Sequence, residues 1–161
     1  MSLPQLEGIK KIHALLETRV VNITADTIIR GDIDIVWAIV IDVANWPKWD
    51  PHELAARLDG PFAAGTKGWS KPRGAPPATW TITRVVDKRE WASESPLPGG
   101  KLSGESKYEP LVGGRIRCSR TVTVTGLLVP LFHLHFARLI RRDMLATWQA
   151  LEKEAARRKL L

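Results

Sequence analysis

Residues 32–51, DIDIVWAIVIDVANWPKWDP, are the stretch whose reading decides the fold. Ile33, Val36, Trp37, Val40, Ile41 and Ala44 recur at i, i+3, i+4, i+7 spacing, so the segment reads as a helix despite its β-branched content. Asp32 suits the N-cap, where a short carboxylate accepts from the first free N–H groups of the helix. Asn45 and Pro47 end the helix, because the residue before a proline is pushed out of the α region. Trp46 and Trp49 bracket a short turn at Pro47-Lys48, and Asp50-Pro51 turns the chain again. The two indoles read as structural plugs at this turn rather than as ligand contacts.

Outward from this stretch the periodicity changes. Upstream, residues 4–16 place Leu6, Ile9, Ile12, Leu15 and Leu16 at helical spacing behind Pro4. Residues 18–30, TRVVNITADTIIR, alternate Val21, Ile23, Ala25 and Ile29 with polar neighbours, the pattern of a half-buried strand. Downstream, short strands are expected over 53–59, 65–71, 79–86, 89–95, 102–109 and 115–125. They are divided by turn-forming residues, among them a loop at 96–100 and a hairpin turn at Val112-Gly113-Gly114. Strict alternation puts Trp80, Ile82, Arg84 and Val86 on one face of their strand. In 115–125, Ile116, Cys118, Val122 and Val124 oppose Arg117, Ser119, Thr121 and Thr123. A final helix runs from Gly126 to about Arg158. Its first half, residues 127–140, is apolar nearly all round, which predicts cover on both sides, and Leu145, Trp148 and Leu151 form a stripe in the second.

Consecutive strands joined by short turns are antiparallel neighbours. The economical arrangement is α+β: a curved antiparallel sheet of about seven strands wrapped around a long C-terminal helix. Short helices lie between strands 1 and 2, and residues 1–17 add an N-terminal helical extension to one domain spanning 1–161.

Five segments in this order carry a family resemblance: VWAIVIDVANWPKWDP (36–51), LDGPFAAGTKG (58–68), ATWTITRVVDKREWASESPLPGG (78–100), YEPLVGGRIR (108–117) and TVTVTGLL (121–128). Together they resemble the SRPBCC superfamily of START-like and Bet v 1-like helix-grip proteins, and within it the polyketide cyclase/dehydrase group. The resemblance covers roughly residues 18–158. It implies a deep cavity between the concave sheet and the C-terminal helix, suited to an apolar ligand. The superfamily spans lipid carriers, hormone receptors and cyclases, so fold alone does not give function.

Composition narrows the classes. With 161 residues, 44% apolar and 25% charged, the chain is an ordinary globular domain. Lys and Arg outnumber Asp and Glu by 24 to 17, a net +7. The last helix carries Arg138, Arg141, Arg142, Lys153, Arg157 and Arg158, but no dense basic block interleaved with aromatics, which argues against nucleic acid. Peripheral contact with anionic lipid stays open. Residues 127–140 fall short of the ~20 apolar residues a membrane span needs, and Pro130, His133, His135 and Arg138 interrupt them. The N-terminal MSLPQLEGIKK lacks the apolar run of a secretory signal, and the single Cys118 excludes an intrachain disulfide, so a cytoplasmic monomer or homodimer is expected.

Chemical motifs are sparse. There is no G-x-S-x-G nucleophile elbow, and the glycine turns at 98–101 and 113–115 sit between strands rather than opening a helix. His133 and His135 point ~200° apart on a helix, and His13 and His52 are isolated. No metal or other cofactor is therefore expected, and no catalytic residue is assigned. The candidates for a cavity are the strand aromatics Trp80, Trp91 and Tyr108, with Arg84, Arg117, Ser119 and His135 as polar handles, and Ser93 and Glu94 beside them. Periodicity shows which residues share a face and leaves open which face is concave. No matched acid–base pair stands on adjacent strand positions. The reading is thus binding of a hydrophobic small molecule or lipid, with a polyketide cyclase or aromatase using acid/base residues in the same cavity as the alternative.

Overall fold

The computed structural model describes residues 20–160, so the helix expected over residues 4–16 lies outside the described residues. Strand β1, Val20–Arg30, leads into helix α1, Ile33–Ile41, whose N-cap Asp32 accepts from the Asp34 N–H at 2.7 Å. Helix α1 buries Val36, Trp37, Ile39 and Val40. It stops short of the expected end: a 3₁₀ turn, Val43–Asn45, and the four-residue helix α2, Trp46–Trp49, follow with a change of direction, which leaves Ile41 exposed and brings Val43 into the core.

Six further strands follow: β2 Glu53–Leu58, β3 Lys67–Pro72, β4 Ala78–Val86, β5 Glu90–Leu97, β6 Gly100–Leu111 and β7 Arg115–Thr125. All seven form one antiparallel sheet in the order β1-β7-β6-β5-β4-β3-β2. The first strand closes one edge by pairing with the last, Val20 opposite Thr125 and Arg30 opposite Arg115. The loop expected at 96–100 is instead a tight hairpin, because β5 runs to Leu97 and β6 starts at Gly100.

Two β-bulges break the alternation of side chains, since one unpaired residue shifts everything beyond it to the opposite face. In β2 the register steps from Glu53 opposite Pro72 to Ala55 opposite Lys71, leaving Leu54 without a partner. Ala56 and Leu58 face the core, so regular alternation would turn Leu54 inward and Glu53 outward; the bulge reverses this, and Leu54 is exposed. In β4 the register steps from Ile82 opposite Ser93 to Arg84 opposite Ala92, leaving Thr83 unpaired. Trp80 and Ile82 are buried before the bulge and Val85 packs inward after it, while Arg84 and Val86 leave the face that alternation assigned them.

The C-terminal helix begins as α3, Val129–Leu131, passes through a π-helical turn, Phe132–Phe136, and continues as α4, Ala137–Lys159. The wide turn is closed by the Ala137 N–H donating to the Phe132 carbonyl. Met144, Trp148, Leu151 and Ala155 make the buried stripe of α4, and Leu145 is on the outside. The expectation of cover on both sides of residues 127–140 fails: Leu127, Leu131, Leu134, Phe136 and Leu139 are exposed, because the sheet meets only one side of this segment. The core lies between the concave sheet, α1 and α4, with Ile23, Ile39, Ile82, Ile116 and Leu151 fully buried. Each such side chain contributes about 1.5–3 kcal/mol. No helix among the described residues is long and apolar enough to cross a membrane.

Candidate functional site

A cavity of about 440 Å³ lies between the concave face of the sheet and α4. Small side chains on the central strands, Ser93 and Ser106, line it and leave the space open, while Gly68 and Gly104 make room for the larger lining residues Trp80 and Arg120. Helices α1 and α2 close one end with Val40, Trp46 and Trp49, and the C-terminal helix contributes Ile140, Met144, Thr147, Trp148 and Leu151.

One wall is aromatic. Trp46 stacks on Trp80 with centroids 5.8 Å apart and planes 15° from parallel, and its Nε1 donates to the Val40 carbonyl at 3.0 Å. Trp91 lies 6.0 Å from Trp46 and 6.2 Å from Trp80. Trp80 lies flat across β3 because the residue beneath is glycine: a Cβ on Gly68 would come within 2.4 Å of the indole. Trp46 and Trp49, expected to plug a turn, also line the cavity.

The other end is charged. Asp50 Oδ1 accepts from the His52 N–H at 2.8 Å and from Thr147 Oγ1 at 3.2 Å. His52 Nε2 sits 3.9 Å from Asp143 Oδ1. Across the cavity, Arg120 Nη1 donates to Ser106 Oγ at 3.3 Å, and its guanidinium lies 5.6 Å from the Trp91 ring centroid. Gly104 makes room for it, since a Cβ there would come within 2.9 Å of Arg120 Nη2. Arg120 forms no ion pair with Asp50 or Glu53, so its guanidinium and the two carboxyl groups face a shared space without touching.

Burial sets the protonation states. It pushes the Glu53 carboxyl up to about 7, with the neighbouring Asp50 adding to the effect and Arg120 opposing it. Burial also raises Asp50, against the stabilising hydrogen bonds from His52 and Thr147. The Tyr108 phenol is pushed up to about 12, chiefly by burial, and stays protonated at neutral pH. Desolvation lowers Arg120 from its usual value. Among the described residues, four buried side-chain atoms have no hydrogen-bond partner: Trp49 Nε1, His52 Nε2, Glu53 Oε2 and Trp91 Nε1. All four belong to residues that line the cavity.

Of the residues proposed from sequence, Trp80, Trp91 and Tyr108 line this space together, as does Ser93. The others are not brought to it. Arg84 is turned to the outer face by the β4 bulge, where it pairs with Glu90 at 2.9 Å and Glu105 at 2.8 Å. Arg117 pairs with Glu109 at 3.2 Å on the outer row of β7, and Ser119 follows on the same row. His135 is exposed on the π turn. Arg120, Glu53, Asp50, His52 and Asp143 were missed. Arg120 carried a signal: it is the one charged position in the row Ile116, Cys118, Val122, Val124. Glu53 carried none, because its inward orientation depends on the bulge at Leu54.

A family model described as "Polyketide cyclase / dehydrase and lipid transport" matches residues 20–156. No curated protein matches the sequence. Among solved structures, a hypothetical protein from Helicobacter pylori superposes with a TM-score of 0.71 at 13% identity, covering 84% of this chain and 88% of that one. The Zhui aromatase/cyclase from Streptomyces sp. R1128 gives 0.70 at 18% identity, covering 86% and 95%. A START superfamily protein from Mycobacterium smegmatis gives 0.63 at 10% identity, covering 84% and 97%. At these identities the likeness is one of fold, the helix-grip arrangement of the SRPBCC superfamily.

Proposed function

The chain belongs to the polyketide cyclase / dehydrase and lipid transport family, and from that premise we propose that it binds a compact hydrophobic molecule bearing oxygen functions at one end. The ligand occupies the cavity between the sheet and α4. The observation that carries this reading is the set of four unpartnered polar atoms around one cavity. A buried polar group without a partner costs about 1–3 kcal/mol. A pure hydrocarbon would leave that cost in place. Carbonyl oxygens accepting from the Trp49 and Trp91 indoles, and a hydroxyl meeting His52 or Glu53, would remove it. The volume of about 440 Å³ suits a small polycyclic or folded molecule. A reducing, cytoplasmic setting suits a chain whose Cys118 is buried and unpaired.

Native mass spectrometry of the freshly purified protein tests this. A bound adduct that leaves on denaturation, and is displaced by aromatic ketones or phenols, supports it. Absence of any adduct, together with no saturable binding of such compounds, rejects it.

A second reading is favoured by one specific observation, the Glu53 carboxyl pushed up to about 7 in the same cavity as the half-buried Arg120. A group with such a pKa exchanges protons readily at neutral pH. In a cyclase of this design, Glu53 takes a proton from the carbon next to a ketone whose oxygen accepts from Arg120. The enolate carbon attacks a second carbonyl of the same chain, and the proton returns to the new alkoxide. Turnover of a poly-β-keto substrate that follows an apparent pKa near 7 and is lost in Glu53→Gln supports this chemistry; turnover unchanged in that variant removes Glu53 from it.

A further inference from the structure

We propose that the first half of the C-terminal helix docks on the surface of an anionic lipid bilayer. This goes beyond the cavity's own function and rests on a different observation. Leu127, Leu131 and Leu134 are exposed together at i, i+4, i+7 spacing on one side of the helix, with Leu134 at 73%, and exposed Arg138 continues that side one turn on. Such a concentration of large apolar side chains on one segment marks an interaction face.

Charge selects the occupant. Residues 126–142 contain no Asp or Glu, and they carry Arg138, Arg141 and Arg142 with His133 and His135 between the apolar positions. Arg142 is held by the adjacent Asp143 at 3.1 Å, and Arg141 Nε donates to the Thr24 carbonyl at 3.3 Å. Arg138 forms no ion pair among the described residues. A second copy of this chain, itself at net +7, would set like charges against each other across an apolar contact. A bilayer with anionic headgroups accepts both components: leucines enter the boundary of the acyl region while arginines remain at headgroup level.

The position of the face connects it to the cavity. The tight turn between β5 and β6 abuts the start of the helix, where a Cβ on Gly99 would fall 2.7 Å from Leu127. Leu97 and Leu102 of the same hairpin line the cavity, and so does Ile140, next to the exposed Leu139. Docking therefore places a wall of the cavity against the bilayer, where an apolar ligand enters or leaves without crossing water.

Co-sedimentation of the full chain with phosphatidylcholine vesicles, with and without phosphatidylglycerol, tests the proposal. The protein should sediment with the anionic vesicles and not the neutral ones, and partitioning should fall as salt is raised. Leu134→Ser should weaken partitioning about tenfold and Arg138→Gln about fivefold, with circular dichroism unchanged because both side chains are exposed. Three results overturn it: no sedimentation with anionic vesicles, equal sedimentation with neutral ones, or no effect of Leu134→Ser. A concentration-dependent dimer in vesicle-free solution, abolished by Leu134→Ser, would also overturn it by assigning the face to a second copy.

Discussion

Glu53 stands on the strand at one edge of the sheet and Arg120 on the strand next to the other edge, yet each acts on the charge of the other across the cavity. Only the curl of a seven-stranded sheet brings these positions into reach. The pair gives the cavity a protonatable acid and a fixed cation at one end, opposite the Trp46–Trp80 stack.

Replacing Glu53 changes how stability responds to pH. The carboxyl titrates near 4.5 when unfolded and near 7 when folded, so the folded state holds the extra proton between these values. Stability therefore falls as pH rises through that window, by up to about 3 kcal/mol. Glu53→Gln should flatten most of that slope and be the more stable protein at pH 8, leaving a residual slope of the same sign from Asp50, also raised by burial. Urea unfolding at pH 5 and pH 8 reads both quantities.

Arg120→Met keeps the length of the side chain and removes its charge. An anionic apolar dye such as anilinonaphthalene sulfonate should bind the variant at least about tenfold more weakly, since a charge-assisted contact contributes about 1.5–3 kcal/mol. The Glu53 pKa should climb above 7, because the cation that lowered it is gone. Arg117→Met, on the outer row and paired with Glu109, should leave both measurements unchanged. Fluorescence titration across pH distinguishes the two variants.

Gly68→Ala probes the support of the aromatic wall. The added methyl would lie 2.4 Å from the Trp80 indole, which cannot swing away because Trp46 is stacked on its plane. A cost of about 2 kcal/mol in unfolding free energy is expected, with altered near-ultraviolet circular dichroism from the displaced indoles.

Trp46→Phe isolates one hydrogen bond. The ring still packs on Trp80, but the Val40 carbonyl loses the Nε1 donor at 3.0 Å. Thermal unfolding should show a loss of about 1 kcal/mol.

Much of the architecture could be read directly from the chain. Alternating residues between turn-formers gave all seven strands; β7 came out with its observed ends, Arg115 and Thr125. Asp32 announced the start of α1. Trp80, Trp91 and Tyr108, which all line the cavity, lie on strand segments where period two holds. It fails at Leu54 and Thr83, and there the reading turned Arg84 to the face it does not occupy and gave no cause to turn Glu53 inward. A bulge is a compromise between neighbouring strands, and nothing local to the bulged strand encodes it. His52 reads as isolated in the sequence because the carboxylate nearest its ring, on Asp143, arrives from the far end of the chain.

Thr83 illustrates what such an unpaired residue means for how this sheet tolerates change in length. It is the position in β4 that could be removed without turning any neighbour over: Trp80, Ile82 and Val85 would still point inward and Arg84 outward. What would change is the bend of the strand, since a bulge adds local curvature. A chain lacking Thr83 would thus carry the same lining in a flatter vessel, so that capacity and chemistry could be varied separately.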